Sequence, residues 1–296
     1  MSVIDQFVSA IESAGLTPPD PLYADGKIHR FSPIGKRGDD DDGWYVLYLD
    51  GVPAGVFGNW RTGESQNWCA KAEHDLTDIE RQEQHERIRT ARRMRDAATT
   101  RRQGEGASTA LALWVQCELA RSHDYLTRKG VKAHGVRTDG HQLFVPIRDT
   151  TGKLQSLQTI SPDGTKRFMP GGRVRGCYHA IGHPSGRLSV CEGYATGATI
   201  HEATDDAVAV AFSAGNLQAV AMALRAKYPS LEIIIAADDD WKTPGNPGLT
   251  AARLAAQAVG GKVAVPDFTG LPRGDTDTDF NDLQRLAGAV RIGERA

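Results

Sequence analysis

Three short apolar runs between residues 188 and 237 set the pattern of this chain. Leu188 to Cys191 leads into Glu192-Gly193 and a helix-favouring segment, Tyr194 to Thr204. Ala207 to Phe212 precedes a second such segment, Gly215 to Lys227, and Leu231 to Ala237 is almost wholly aliphatic before it stops at Asp238-Asp239-Asp240. Short continuous β-branched runs are typical of parallel strands covered by helices on both faces. Their alternation with helical segments predicts a doubly wound α/β sheet. Polar chemistry in such sheets collects beyond the carboxyl ends of the strands. Glu192, Asp238 and Asp240 are therefore expected to face one crevice.

Carboxylates crowded at one edge repel one another, so a proton or a metal must neutralise them. Hard oxygens without a neighbouring His or Cys suit Mg²⁺, with Mn²⁺ as the alternative, better than zinc. Asp238 and Asp240 stand two apart and share a face in extended backbone. The competing expectation is that acids at strand ends are ordinary loop solvation or helix caps.

Upstream, Val3 to Gly15 predicts a short amphipathic helix, and β-rich runs on either side of Asp50-Gly51 predict a hairpin. The acidic run Asp39 to Asp42 is expected at a solvated tip. Trp44, Trp60 and Trp68, with Arg61 nearby, fit either a base-stacking DNA surface or the core of a small domain. From Ala72 to Arg102 the chain is polar and helix-favouring, and Arg92 and Arg93 belong to an arginine block that can track a phosphate backbone or merely solvate a helix face. Gln103-Gly104-Glu105-Gly106 is expected to break that helix. Between His123 and Gly186 the strand Gln142 to Val145 runs into Pro146-Ile147-Arg148-Asp149, and Lys166, Arg167, Arg173 and Arg175 follow near turns. That pattern predicts an antiparallel sheet studded with cations.

Glu192-Gly193-Tyr194, the run Ile233 to Asp240 and the Gly-led helix at Gly248 resemble the Toprim domain of DnaG-type primases, topoisomerases and some nucleases. The Pro-Ile-Arg-Asp strand pair with its later Lys166 resembles the amino-terminal half of the DnaG-type catalytic core, a segment the topoisomerases and the nucleases lack. Ser213 to Leu217 and Asp279-Phe280-Asn281-Asp282-Leu283 are similar to motifs of primases carried by conjugative plasmids and phages. The resemblance implies an α+β chain: a doubly wound Toprim sheet packed with an antiparallel primase-core sheet, plus a small β-rich amino-terminal domain. Expected boundaries are 1–72, 73–121 (a helical arm), 122–186 and 187–296. It also implies a DNA primase, a nucleotidyltransferase making short primers on single-stranded DNA from nucleoside triphosphates, with a replicative helicase as a further partner. Glu192, Asp238 and Asp240 would be catalytic and hold Mg²⁺, and Asp279 and Asp282 would be further metal-facing carboxylates or helix caps. Arg148, Lys166, Arg167, Arg173, Arg175 and Asn216 would contact nucleotide or template. The alternatives are a Toprim metal-dependent nuclease and a non-catalytic single-strand-binding accessory protein of a mobile element.

Composition changes this picture little. The 296 residues are 40% hydrophobic and 24% charged, with a formal net charge of −2, so contact with nucleic acid must come from local basic patches. Cys69, Cys117, Cys177 and Cys191 contain no Cys-x-x-Cys pair, which argues against a disulfide framework and a zinc ribbon. No apolar run approaches the ~20 residues of a membrane helix, and a cytoplasmic protein with no membrane partner is expected.

Overall fold

The computed structural model describes residues 2–33, 41–60 and 62–289. It divides into two compact units, Met1–Arg101 and Arg102–Ala296. In the first, α1 (Val3–Ser13) opens on a reciprocal cap in which Ser2 and Asp5 bond each other's backbone N–H. Strands β1 (His29–Phe31), β2 (Gly43–Tyr48), β3 (Ala54–Asn59) and β4 (Ser65–Cys69) form an antiparallel sheet in chain order. The expected hairpin is present: Tyr48 pairs with Ala54, and Gly51 turns the chain at a φ of 61°. Both faces of the two central strands are covered. Tyr45, Leu47 and Phe57 pack on Phe7 and Ile11 of α1, while Trp44, Val46 and Val56 pack on Ile88 and Ala91.

Those last two residues lie on α2 (Asp78–Gln116), which continues through Gly104 and Gly106 instead of breaking there. Packing explains the difference. A β-carbon on Gly106 would lie 2.7 Å from the backbone of Gly171 and Gly172, so glycine here permits close approach rather than ending the helix.

The second unit holds two sheets. One is antiparallel in chain order: β5 (Glu118–Leu119), β6 (Arg137–Thr138), β7 (Leu143–Arg148), β8 (Leu154–Ile160) and β9 (Lys166–Phe168). A short helix, α3 (Asp124–Lys129), lies between β5 and β6 and ends at Gly130 in the left-handed region. The other sheet comprises β10 (His179–Ile181), β11 (Arg187–Cys191), β12 (Ala207–Val210), β13 (Glu232–Ala236) and β14 (Lys262–Ala264), in spatial order β10-β12-β11-β13-β14. All its neighbours are parallel except β10, an antiparallel edge strand that the sequence pattern did not predict.

Connecting helices are α4 (Tyr194–Thr204), α5 (Ala214–Lys227), α6 (Pro247–Val259) and α7 (Phe280–Ala287). The chain passes from β11 to β12 on one side and then back across to β13 on the other. Strand order therefore reverses at β11, and the crossover helices fall on opposite faces. Side chains divide accordingly. Val208, Val210, Ile234 and Ala236 point to α4 and α7, and Ala207, Ala209, Ile233 and Ile235 point to α5 and α6.

The α4 face is also where the antiparallel sheet docks. Leu143, Val145 and Ile160 share one core with Tyr194, Ala195 and Ala198. Two backbone hydrogen bonds of 2.9 Å between Arg148 and Tyr178 tie β7 to the segment entering β10. Because the two sheets share this core, Ile160→Ala should cost about 2–5 kcal/mol. Circular dichroism should show both sheets losing structure in one cooperative transition at lower temperature; separate transitions would contradict a common core.

Candidate active site

Glu192 follows the last residue of β11, and Asp238 stands two residues beyond the end of β13, its parallel neighbour. The two carboxylates thus occupy the point of strand-order reversal. Main-chain bonds hold the edge in place. Phe212 N–H donates to the Glu192 carbonyl at 2.8 Å, and Ala237 N–H donates to the Ala264 carbonyl at 2.9 Å. Both carboxylates are half-buried, and Glu192 Oε1 and Asp238 Oδ1 are buried atoms without a hydrogen-bond partner among the described residues. Burial, then the charge of Asp240, pushes the Glu192 carboxyl up to about 7; the Ala214 N–H and Lys166 act against this. Burial, followed by Glu192, Asp279 and Asp240, raises Asp238 to about 9.

The other acids of the edge are committed to protein partners. Asp239 turns away and pairs with Arg273 at 2.8 Å, and it also accepts a bond from Asn246 Nδ2 at 2.7 Å. Asp240 Oδ2 accepts the Gly248 N–H at 2.9 Å, at the start of α6. Gly248 makes this approach possible, since a β-carbon there would lie 2.6 Å from the Asp238 carbonyl. Asp279 and Asp282 form a reciprocal cap at the start of α7, with Asp282 N–H donating to Asp279 Oδ1 at 2.8 Å. The cap alternative is therefore realised for both, yet Asp279 still adds to the negative field on Glu192 and Asp238. Its Oδ2 accepts from Thr196 Oγ1 at 2.7 Å.

One cation reaches this edge from the antiparallel sheet. Lys166 Nζ lies 3.9 Å from where a Gly193 β-carbon would sit and 5.8 Å from the centre of the Tyr125 ring. Much of the side chain is exposed, but the crevice around its ammonium, and then Lys129, pull its pKa down, while Asp279 and Asp238 act the other way. Arg167 is next in the same strand and pairs opposite Thr159, so its side chain leaves the other face, where it is exposed. Lys166 and Arg167 do not form one clamp.

Other expected contacts lie elsewhere. Arg148 lines a cavity of about 480 Å³ with Leu188 and Ala207, at the amino ends of β11 and β12 and away from the carboxylates. Arg173 is half-buried and paired with Asp149 at 3.2 Å, and Arg175 is exposed. Asn216 is corrected from a nucleotide contact to a buried strut. Its amide nitrogen donates to the carbonyls of Val174, Cys177 and Ala211, and its oxygen accepts the Gly176 N–H, so no group is left for a ligand. Trp44 is likewise a core residue, only 1% exposed. Trp60 tilts against it at 5.5 Å, and Trp68 sits edge-on to Phe7 at 5.3 Å. The three tryptophans pack within their unit rather than forming a stacking surface. Arg92 and Arg93 are exposed on α2, and Arg61 and Asp39-Asp40 lie outside the described residues. Arg273 was not foreseen from sequence, and neither was Lys129, whose ammonium lies 3.8 Å from Asp282. Each is far in sequence from the acid it pairs with, Arg273 from Asp239 and Lys129 from Asp282.

A divalent ion fits two of these donors. Among the described residues no three His, Cys, Asp or Glu side chains form a ready chelate. The two orphaned oxygens of Glu192 and Asp238 nevertheless present hard donors in a field that disfavours their charge. Mg²⁺ suits such a site, since it is usually held by one or two carboxylates and completes its shell with water or phosphate.

Comparison with known proteins bears on the same stretch. Residues 187–289 match the family model described as Toprim domain. This part of the chain is a Toprim domain. Over 282 residues, 89% of its length, the chain is 39% identical to an Escherichia coli protein named DNA primase TraC and spans 26% of it. A second Escherichia coli protein of that name is 37% identical over 288 residues, and the chain spans 20% of its length. Both relatives are thus several times longer than the part matched here. Among solved structures, the primase fragment of the bacteriophage T7 primase-helicase protein overlaps 56% of this chain and 70% of its own, at 21% identity and a TM-score of 0.42.

The raised carboxyls of the Toprim edge make stability depend on pH. Glu192 and Asp238 keep protons in the folded protein that they release when unfolded, so without metal they subtract stability as pH rises from the ordinary carboxylate range, Glu192 towards about 7 and Asp238 towards about 9. Asp238→Asn should therefore raise the melting temperature of the metal-free protein, by roughly 2–4 °C for each kcal/mol relieved. The gain should be near zero at pH 4 and largest near pH 9, by thermal scans in chelator; a gain independent of pH would refute the assignment.

Proposed function

We propose that this chain is the catalytic portion of a DNA primase that joins nucleoside triphosphates into short primers on single-stranded DNA. The observation that carries the reading is the pair of orphaned carboxylate oxygens, Glu192 Oε1 and Asp238 Oδ1, at the switch point of a Toprim sheet. Identity to proteins named DNA primase along most of the chain supports it. A replicative helicase is the partner we expect during replication, and no helix among the described residues is long and apolar enough to cross a membrane.

Glu192 and Asp238 would hold the Mg²⁺ ion, with Asp240 beside them on the N-terminus of α6. When bound, the ion supplies positive charge to the triphosphate and lowers the pKa of the attacking 3′-hydroxyl. Lys166 adds a point charge to the phosphates from the opposite wall. The 3′-oxygen forms a bond to the α-phosphorus as the bond to pyrophosphate breaks, and Glu192, at the strand end beside the crevice, is placed to help move the released proton.

Incubation with single-stranded DNA, labelled nucleotides and Mg²⁺ tests the assignment. Short new oligomers are expected, and Asp238→Asn should reduce them to a few per cent while leaving DNA retention intact. A shortened template would instead identify a nuclease, and retention without turnover a binding protein. The faces of β9 give a second prediction. Lys166→Ala should raise the nucleotide KM roughly 10- to 150-fold, as expected for a charge-assisted contact, whereas Arg167→Ala should leave it within about twofold. Equal effects from the two changes would break the facial assignment.

A further inference from the structure

Two phenylalanine rings beside the carboxylates are not used by the mechanism above. Phe168 shares the face of β9 that carries Lys166, two residues away, and is 42% exposed. Phe212 follows β12 at the carboxyl edge of the parallel sheet, and its N–H is the group that donates to the Glu192 carbonyl at 2.8 Å. The rings meet edge to face, with centroids 6.1 Å apart and planes at 81°.

The backbone of Phe212 makes the arrangement more pointed. Its φ is 71°, in the left-handed region that bulky side chains rarely adopt. A glycine would hold the same turn without strain, and the next residue, Ser213, is already extended at the cap of α5. Strain of this kind persists where the surrounding structure requires it, often beside a ligand. Here it directs an aromatic ring to the strand edge next to Glu192. Phe212 packs partly on the core shared by the two sheets, whereas Phe168 remains open to solvent.

We infer that Phe168 and Phe212 form the wall on which the base of the bound nucleotide stacks while its phosphates lie at Glu192, Asp238 and Lys166. The ligand class is a purine or pyrimidine nucleoside triphosphate. Phenylalanine has no hydrogen-bonding group, so the wall holds any base by its π-face and leaves base choice to pairing with the template. The inference rests on the nucleotidyl-transfer reading of the site.

Titration calorimetry in Mg²⁺ separates the base from the phosphates by comparing α,β-methylene ATP with inorganic tripolyphosphate. Wild-type protein is expected to bind the nucleotide analogue more tightly. Phe168→Leu should weaken it roughly 5- to 150-fold, the range for one base–aromatic stack, and leave tripolyphosphate within twofold. Phe168→Trp should restore the loss. Phe212→Gly relieves the left-handed backbone but removes partial packing on the shared core, so its readout is ligand selectivity in protein shown to be folded: the analogue should weaken and tripolyphosphate should not. In primer extension both losses should appear in KM and spare kcat. If the variants leave both affinities unchanged, or weaken both ligands equally, the rings do not receive the base and the inference is overturned. If wild-type protein binds tripolyphosphate and the analogue equally, the phosphate site stands and the base wall does not. If it binds neither, the nucleotidyl-transfer reading fails and the base wall with it.

Discussion

Uncompensated negative charge at the end of a parallel sheet is the constraint on which the rest of this unit depends. Six acids among the described residues converge on the carboxyl edge, and the fold treats them unequally. Asp239 is neutralised by Arg273, Asp240 is anchored on the Gly248 N–H, and Asp279 and Asp282 cap α7. Each of these uses a backbone dipole or a cation that the chain itself supplies. Glu192 and Asp238 alone keep a buried oxygen with no partner among the described residues. A protein selected for stability alone would have satisfied those atoms or removed them, because an unpaired buried polar group costs free energy. The edge is therefore less stable than it could be, and it keeps two hard oxygens that an external positive charge would satisfy.

Position follows from the shared core. The antiparallel sheet does not merely lie near the Toprim sheet, since Ile160, the register partner of Lys166, is buried in the same cluster as Tyr194 and Ala198. Packing that fixes Ile160 also fixes the strand face carrying Lys166 and Phe168. Close backbone contacts reinforce this. Gly248 lets α6 approach the acidic loop, and Gly106 lets α2 approach the Gly171-Gly172 turn. In both places any larger residue would push apart backbone segments rather than flexible side-chain tips.

How much of this was legible in the sequence depended on whether a signal was periodic or spatial. The parallel strands were, because Ile233, Ile234 and Ile235 are buried on both faces and leave a continuous aliphatic run. From those strands the strand-end places of Glu192 and Asp238 followed. The cationic contacts were less legible. Lys166 and Arg167 look equivalent by composition, and only strand alternation, with registers set by the β8–β9 turn, separates them. Asn216 carries no mark of its burial, since its bonds go to carbonyls as far as 42 residues away. Trp44 and its neighbours suit a stacking surface and a core equally well by residue type, and the two-sided coverage of β2 decided for the core. Gly104 and Gly106 signalled a helix break by propensity, which tertiary packing overrode.

Lys166 raises the question of why the chain does not neutralise its own carboxylates. Burial and Lys129 weaken the hold of this ammonium on its proton, and it forms no ion pair within 4.0 Å of Glu192 or Asp238 among the described residues. A lysine locked to either acid would fill the orphaned oxygen and exclude an ion. Held back on the opposite strand, it instead leaves the acids available and faces the space between the two walls. Without metal, burial and mutual repulsion raise Glu192 to about 7 and Asp238 to about 9, so a divalent ion would have to displace protons from the same oxygens. A triphosphate entering the metal-free, deprotonated edge would meet charges of its own sign, and one entering after the ion would meet positive charge on both sides. On the proposed nucleotidyl-transfer reading, the electrostatics of these residues would favour cation before nucleotide, because the oxygens the fold leaves unsatisfied are the ones the ion would take.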